Sequence, residues 1–94
     1  MPVWHPRAET DLRENIERHA VDDPLTAWRI FDAVLTRAGI LDDQPRIGRP
    51  GRVAGTREFV VTGTPFILVY RVRGGEVEIL RVLHGAQQWP PAEE

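Results

Sequence analysis

The 94-residue sequence contains no cysteine, no serine and no lysine. Without cysteine, neither a disulfide framework nor a thiolate metal site can form, which fits a reducing cytoplasm. With serine also absent, the usual nucleophiles of triad-type catalysis are missing. The sequence has no apolar run of about 18 residues and no signal-type amino terminus. We therefore expect a cytoplasmic protein that has no membrane contact and is not a nucleophilic hydrolase.

Metal and cofactor chemistry also lacks a recognisable pattern. The three histidines, His5, His19 and His84, fall in different predicted elements without the spacing of metal ligands. The acidic residues lie mainly on the solvent faces of two predicted helices, where a solvated charged surface is the simpler interpretation than a catalytic carboxylate pair. The sequence predicts no metal site and no cofactor.

Charge is divided unevenly along the chain. Residues 1–44 carry five Arg and nine acidic residues, a net charge of −4, whereas residues 45–85 carry seven Arg and three Glu, a net charge of +4. All twelve cationic side chains are Arg, which suits bidentate contacts to carboxylate or phosphate, although a codon bias toward Arg explains the same observation. The total of −2 is far from the positive charge of a dedicated nucleic-acid-binding protein.

Local patterns predict two helices after a short first strand at residues 1–4. Pro6 suits the first turn of a helix in which apolar residues recur every fourth position up to Ala20. Asp23 and Pro24 then supply the N-cap and first turn of a second helix. So short a connection predicts an antiparallel helical hairpin.

The second helix and the residues after it carry weaker signals. Apolar residues continue at helical spacing to Leu41, and Trp28 among them is predicted to lie in the core. Residues 42–56 show no period, and so long a loop in a small domain is often functional. A strand is predicted at residues 56–62, which gives the order β-α-α-β-β-β in a single α+β domain over residues 1–94.

The most specific pattern is a predicted β-hairpin near the end of the chain. Two apolar runs, residues 65–72 and 77–84, flank Gly74 and Gly75, which can both take positive φ in a two-residue turn. On one face, the predicted opposite pairs are Val72 with Val77, Tyr70 with Ile79, Leu68 with Arg81 and Phe66 with Leu83. Both faces are largely apolar, whereas two helices can cover only one. We therefore expect a partner to cover part of the hairpin.

Three residues near the carboxyl terminus are candidates for contacts to a target or partner. Arg81 falls among apolar residues in mid-strand, so it either contacts a partner or forms a buried pair with a helix carboxylate such as Asp32. His84 points to the opposite face, where it is either structural or a general acid or base. Trp89 is predicted to cover the sheet or to contact a partner.

Arginine residues in the central loop and hairpin are further candidates. Arg49, Arg52 and Arg57 could contact an anionic partner, with a solvated loop as the alternative. The segment around Arg49 is not a phosphate loop, because it lacks the Gly-Lys-Ser or Gly-Lys-Thr ending and opens no helix. Arg71 faces Glu78 across the hairpin and is predicted to form a cross-strand ion pair.

Three segments, residues 48–58, 69–72 and 77–85, resemble the RelE/ParE superfamily of toxins from bacterial type II toxin–antitoxin modules. The resemblance covers essentially the whole chain, is most specific in the hairpin and is closer to ParE. It implies a helical hairpin packed on one face of a small twisted antiparallel sheet. It also implies a small antitoxin, ParD-like or of another type, that wraps around the toxin and represses their shared operon.

The superfamily has two targets. RelE-like members cleave messenger RNA on the ribosome with basic and aromatic side chains, whereas ParE-like members poison DNA gyrase. The resemblance places Glu58, Val60, Ile67 and Gln87 at positions that carry catalytic Lys or Arg in RelE nucleases. We therefore expect gyrase poisoning without catalysis. Two alternatives stay open, namely a ribosome-dependent endonuclease that uses Arg81 and His84, and a non-toxic binding module.

The antitoxin is expected at two places on this fold. A partner helix can enter an apolar groove along the helical hairpin, and a partner strand can add to an open sheet edge. Arginine residues of the basic half are expected to attract an acidic segment of the antitoxin.

Overall fold

A five-stranded mixed sheet carries the two helices in the computed structural model, which describes residues 1–85 and 89–90. Along the chain the elements are β1 (Val3–Trp4), α1 (Pro6–Asp22), α2 (Pro24–Asp43), β2 (Arg49–Pro50), β3 (Arg57–Val60), β4 (Phe66–Arg73) and β5 (Glu76–His84). The strand order is β1-β5-β4-β3-β2, with β1 parallel to β5 and the other pairs antiparallel. The predicted α+β fold is confirmed, with one strand more than expected.

The helix boundaries follow the capping signals of the sequence. The N-cap of α1 is His5, whose Nδ1 accepts a hydrogen bond from the Arg7 backbone N–H at 3.1 Å. Asp23 caps α2 by accepting from the backbone N–H groups of Leu25 and Thr26, and the hydrogen bond from the Thr26 hydroxyl lowers the pKa of the Asp23 carboxyl. The predicted hairpin of helices is confirmed.

The additional strand, β2, lies in the segment that the sequence predicts as a loop. It pairs with β3 through Arg49 opposite Glu58 and Pro50 opposite Arg57. A two-residue strand is too short to show an alternating pattern, and its proline is tolerated because the strand lies at the sheet edge. The strand predicted at residues 56–62 is correspondingly shorter, because only its four central residues pair as β3.

Tyr70 and Arg57 attach the rest of this loop to the sheet. The Tyr70 hydroxyl donates to the Pro45 carbonyl at 2.7 Å and accepts from the Gly48 N–H at 2.9 Å. Arg57 donates to the carbonyl groups of Arg46 and Gly48. A Cβ at position 48 would lie 2.6 Å from the Tyr70 hydroxyl, so this close approach requires glycine.

Glu58 on β3 is a buried carboxylate at the centre of an ion-pair cluster. Its carboxylate accepts from Arg49 Nη2 at 3.1 Å, from the Arg52 backbone N–H at 2.9 Å and from Arg52 Nε at 3.3 Å. Burial alone would raise the pKa of Glu58, but the hydrogen bonds from Arg52 and Arg49 and the charge of Arg52 outweigh it and lower the pKa. The cluster therefore holds the loop against β3 with a charged carboxylate.

The hairpin of β4 and β5 follows the predicted register only near its turn. Gly74 and Gly75 have φ values of 57° and 79°, as the two-residue turn requires. The pairs from Arg73–Glu76 to Tyr70–Ile79 are confirmed. Beyond them β5 contains one extra residue, a β-bulge, so Arg81 lies opposite Val69 and not opposite Leu68.

Asp11 on α1 binds β5 at this bulge. Arg81 Nε and Nη2 donate to the two carboxylate oxygens of Asp11 at 2.6 and 3.1 Å, and the Val82 backbone N–H donates to Asp11 Oδ2 at 3.0 Å. Arg81 and Asp11 are 9% and 8% exposed. Of the two alternatives for Arg81, the structure shows the buried pair with a helix carboxylate, but the partner is Asp11 and not Asp32, because α1 makes more contacts with β5 than α2 does.

The core fills the space between the helices and one face of the sheet. Tyr70, Leu68 and Phe66 of β4 pack there with Val34 and Leu41 of α2. The opposite face of the hairpin is also buried within the chain: the largely apolar positions there include Ile67, Val69 and Leu83. The expectation that a partner must cover this face is therefore wrong. The prediction of a core position for Trp28 is also wrong, since its side chain is 62% exposed.

The first prediction concerns the pair of Asp11 and Arg81. Asp11→Ala leaves the buried guanidinium without a counter-charge, so we expect the free energy of unfolding to fall by about 3–5 kcal/mol. Urea unfolding followed by circular dichroism measures this loss. The control is Asp32→Ala on the exposed side of α2, expected to change stability by less than about 0.5 kcal/mol. Equal small losses would contradict the structural role.

The second prediction concerns Glu58 and pH. The folded protein lowers the pKa of this carboxyl below the ordinary value of 4.5, so its ionised form stabilises the fold above that pH and the contribution is lost as pH falls through the folded pKa. We expect the stability difference between the wild type and Glu58→Gln to be largest at neutral pH and to shrink below pH 4.5. Acid titrations of the unfolding free energy, with exposed Glu14→Gln as the control, test this. A difference independent of pH would refute it.

Candidate functional site

An open groove lies between α1 and α2. Its cavity volume is about 410 Å³. Leu12 and Ile16 of α1, Phe31 and Leu35 of α2 and Trp4 of β1 supply its apolar lining. A groove of this shape, bounded by two helices, fits the apolar face of a third helix.

The groove exists because α2 carries two apolar stripes. One stripe packs into the core and contains Ala27, Ile30, Val34, Ala38 and Leu41. The second stripe is Trp28, Phe31 and Leu35. Phe31 and Leu35 line the groove, and the Trp28 ring lies 5.9 Å from the Phe31 ring. Trp28 and Leu35 are 62% and 42% exposed. An apolar surface of this kind marks an interaction site.

Sequence analysis predicts a groove on the helical hairpin but does not identify its residues. The available signal is the width of the apolar surface on α2, because a helix that packs on one side needs only one stripe. Trp28, Phe31 and Leu35 are spaced by three and four residues and therefore share one side of the helix. A second stripe beside the core stripe could have identified them.

The structure separates the carboxyl-terminal candidates. Arg81 is paired with Asp11, and its Cζ lies 5.1 Å from the centre of the Trp89 ring. His84 pairs with Phe66, and these two rings meet edge to face at 5.9 Å. Since Arg81 pairs with Val69 and His84 with Phe66, the two side chains leave opposite faces of the strand. Trp89 thus covers a buried charge, and Arg81 and His84 do not converge on one site.

The arginine candidates of the loop have partners inside the chain. Arg49 and Arg52 bind Glu58, and Arg57 binds carbonyl groups of the loop. The Arg49 side chain is still 58% exposed, so part of it remains available for contact. The hydrogen bonds that these arginines make are directed at a carboxylate and at backbone oxygens.

Two further arginines, Arg71 and Arg37, contact residues of the sheet. The predicted pair of Arg71 and Glu78 is confirmed, and the hydrogen bond from Arg71 lowers the pKa of Glu78. Arg37 of α2 lies over the Phe59 ring, with Cζ 4.2 Å from the ring centre, and its Nη2 donates to the Val60 carbonyl at 3.2 Å. A partner strand that adds to β3 at Val60 would have to displace this guanidinium.

The part of the chain that the structure describes contains neither a group of potential metal ligands nor a membrane-spanning helix. In residues 1–85 and 89–90, no three His, Asp or Glu side chains come together in a group that could hold a metal ion. Neither helix combines the length and the apolar character needed to span a bilayer.

Of the positions compared with RelE nucleases, Gln87 lies outside the described residues, whereas Glu58, Val60 and Ile67 lie on β3 and β4.

Known proteins match this chain over nearly its whole length. The family model for the ParE toxin of the type II toxin–antitoxin system parDE matches residues 3–89. A relative from Sinorhizobium fredii named "Putative toxin Y4kP" is 45% identical over 93% of this chain and 90% of its own length. Toxin RelE2 of Caulobacter vibrioides is 35% identical over 90% of this chain and 94% of its own length.

A solved structure is similar to the fold as well. The structure described as the chromosomal ParDE TA system from P. aeruginosa superposes with a TM-score of 0.79 at 27% sequence identity. The match covers 89% of this chain and 95% of that one. Together with the family model, it confirms the expected RelE/ParE resemblance. The chain therefore belongs to the ParE toxin family of type II toxin–antitoxin systems.

Proposed function

We propose that this toxin inhibits bacterial growth by poisoning DNA gyrase, and that a cognate antitoxin neutralises it by filling the groove between α1 and α2. The observation that carries the gyrase target is Glu58. A messenger RNA nuclease of the RelE type needs a cation at this position, where charge develops on the phosphate. Here the position holds a buried carboxylate that is already bound by Arg49 and Arg52.

The second support for a non-catalytic mechanism is the state of Arg81. In the alternative nuclease mechanism Arg81 would stabilise charge and His84 would act as the acid. The guanidinium of Arg81 is instead paired with Asp11, buried, and covered by Trp89. Binding a substrate phosphate there would require breaking a buried ion pair, which costs about 3–5 kcal/mol.

The groove is the proposed antitoxin site. It is apolar, it is open, and its second stripe on α2 is exposed in the isolated chain. The similar solved structure is described as a ParDE TA system, which supports a partner of this kind. The edge of β3 is a less favourable site, because β2 already pairs with its Arg57 and Glu58, and Arg37 binds its Val60 carbonyl.

The third prediction tests the target. Induction of the chain alone should arrest growth, and purified chain should make purified gyrase accumulate cleaved DNA or lose supercoiling activity. Transcript ends mapped in the same cells should stay intact. One relative is named Toxin RelE2, so the experiment must include the transcript assay to test for cleavage of messenger RNA. Ribosome-dependent cuts that disappear in His84→Ala would reverse the assignment, and harmless expression of a stable monomer would indicate a non-toxic binding module.

The fourth prediction tests the groove. Leu35→Glu places a charge on the exposed apolar wall, so we expect antitoxin affinity to fall roughly 30-fold or more, as at a binding hot spot. The fold should be retained, since Leu35 is 42% exposed. Val21→Glu is the matched control, because Val21 is 84% exposed and does not line the groove. Titration calorimetry measures both affinities, and equal values would rule out the groove as the antitoxin site.

A further inference from the structure

We infer that the charged wall of the groove selects an antitoxin helix that presents a cation, an anion and a cation at intervals of about one helical turn. This inference rests on the proposed antitoxin site and deepens it by specifying the charge order of the partner. The wall consists of Glu9, Arg13 and Glu17 of α1, which line the groove beside its apolar floor.

The three side chains form a regular alternating row. They are four residues apart, so they lie on one side of α1 at intervals of about 6 Å along the axis. All three are exposed. None of them has a side-chain hydrogen bond or an ion pair among the residues that the structure describes. Their charges are therefore available to a partner.

The two walls of the groove differ in chemistry, which fixes how an amphipathic helix is rotated within it. On the α2 side, Phe31 and Leu35 are apolar, as are Leu12 and Ile16 between the walls. A partner helix buries its apolar side against these residues. Its polar side is then directed at the α1 wall, where opposite charges can meet those of Glu9, Arg13 and Glu17.

Alternation of sign fixes the register of the partner along the groove. If the partner slips by one turn, a cation faces Arg13 and an anion faces Glu17, so two like-charge contacts replace favourable ones. A row of one sign would not penalise such a slip. The order acid-base-acid reads identically from both ends, and it therefore constrains register and partner choice without constraining the direction of the helix.

The same wall disfavours an acidic occupant. Glu9 and Glu17 outnumber Arg13, and residues 1–44, which contain both helices, have a net charge of −4. An acidic antitoxin segment is attracted instead by residues 45–85, where the net charge is +4. The groove is thus assigned to a helix whose side toward α1 carries more cations than anions.

The fifth prediction uses two stapled helical peptides with the same apolar face as probes. One presents Lys-Glu-Lys toward α1 at i, i+4 and i+8, and the other presents Glu-Lys-Glu. We expect the full-length chain to prefer Lys-Glu-Lys by about tenfold at low salt, since each exposed pair contributes modestly. The preference should nearly vanish at about 1 M salt, where the screening length is about 3 Å. Fluorescence polarisation measures the affinities.

A swapped wall provides the reciprocal test. The triple variant Glu9→Arg, Arg13→Glu, Glu17→Arg should reverse the preference, because all three charges are inverted. Glu14→Arg changes the net charge by the same amount at an exposed α1 position outside the groove, and it should keep the native preference. Equal affinities of the native chain for the two peptides, or binding of neither, would overturn the inference, and neither result requires the variant to fold.

These outcomes are separable from the proposed target. The peptide assay involves neither gyrase nor cell growth, so an absent charge preference together with gyrase poisoning would refute only the inference. A clear preference for the Lys-Glu-Lys peptide without any effect on gyrase would refute the proposed target but would still support the charge order inferred for the groove.

Discussion

The buried ion pair between Asp11 and Arg81 is the constraint on which this fold depends. It joins the first helix to the last strand, two elements from opposite ends of the described chain, through two hydrogen bonds between the side chains and one to the Val82 backbone. Either charge alone would be costly to bury, so α1 must lie against β5 wherever Arg81 is buried. β1 immediately precedes α1 in the chain. It therefore lies at the edge of the sheet formed by β5, with which it pairs.

Several arginines of the basic half bind groups of their own chain. The basic half of the sequence suggests an anion-binding surface, but Arg49 and Arg52 surround Glu58, and Arg57 binds backbone carbonyls. A planar guanidinium with five donors can hold an irregular loop at several points, which an ammonium group does less well. The net charge of a segment therefore overstates its attraction for an anionic partner when carboxylates and carbonyls of the same segment already neutralise it.

The elements with local signals could be predicted from sequence, whereas the features that depend on distant residues could not. Asp23 marks the boundary between the helices, and Gly74 marks the hairpin turn, because each acts within a few residues. The bulge in β5 is different, since its position is stabilised by Asp11, which lies 70 residues before Arg81. A strand with two apolar faces carries no pattern that reveals such a shift. For Trp28, helical spacing alone could not decide which of two apolar stripes faces the core.

The location of the surplus apolar surface decides what kind of complex this chain can form. Had the hairpin been left uncovered, a partner would complete the core, and its loss would unfold the chain. The hairpin is instead buried by the chain itself, and the exposed stripe lies on the outer side of α2. Trp28 and Leu35 are exposed in the chain alone, whereas Val34 and Leu41 of the same helix are buried. Because the core is buried by residues of the chain itself, a partner that binds the exposed stripe adds contacts to the outside of the fold and does not complete its core.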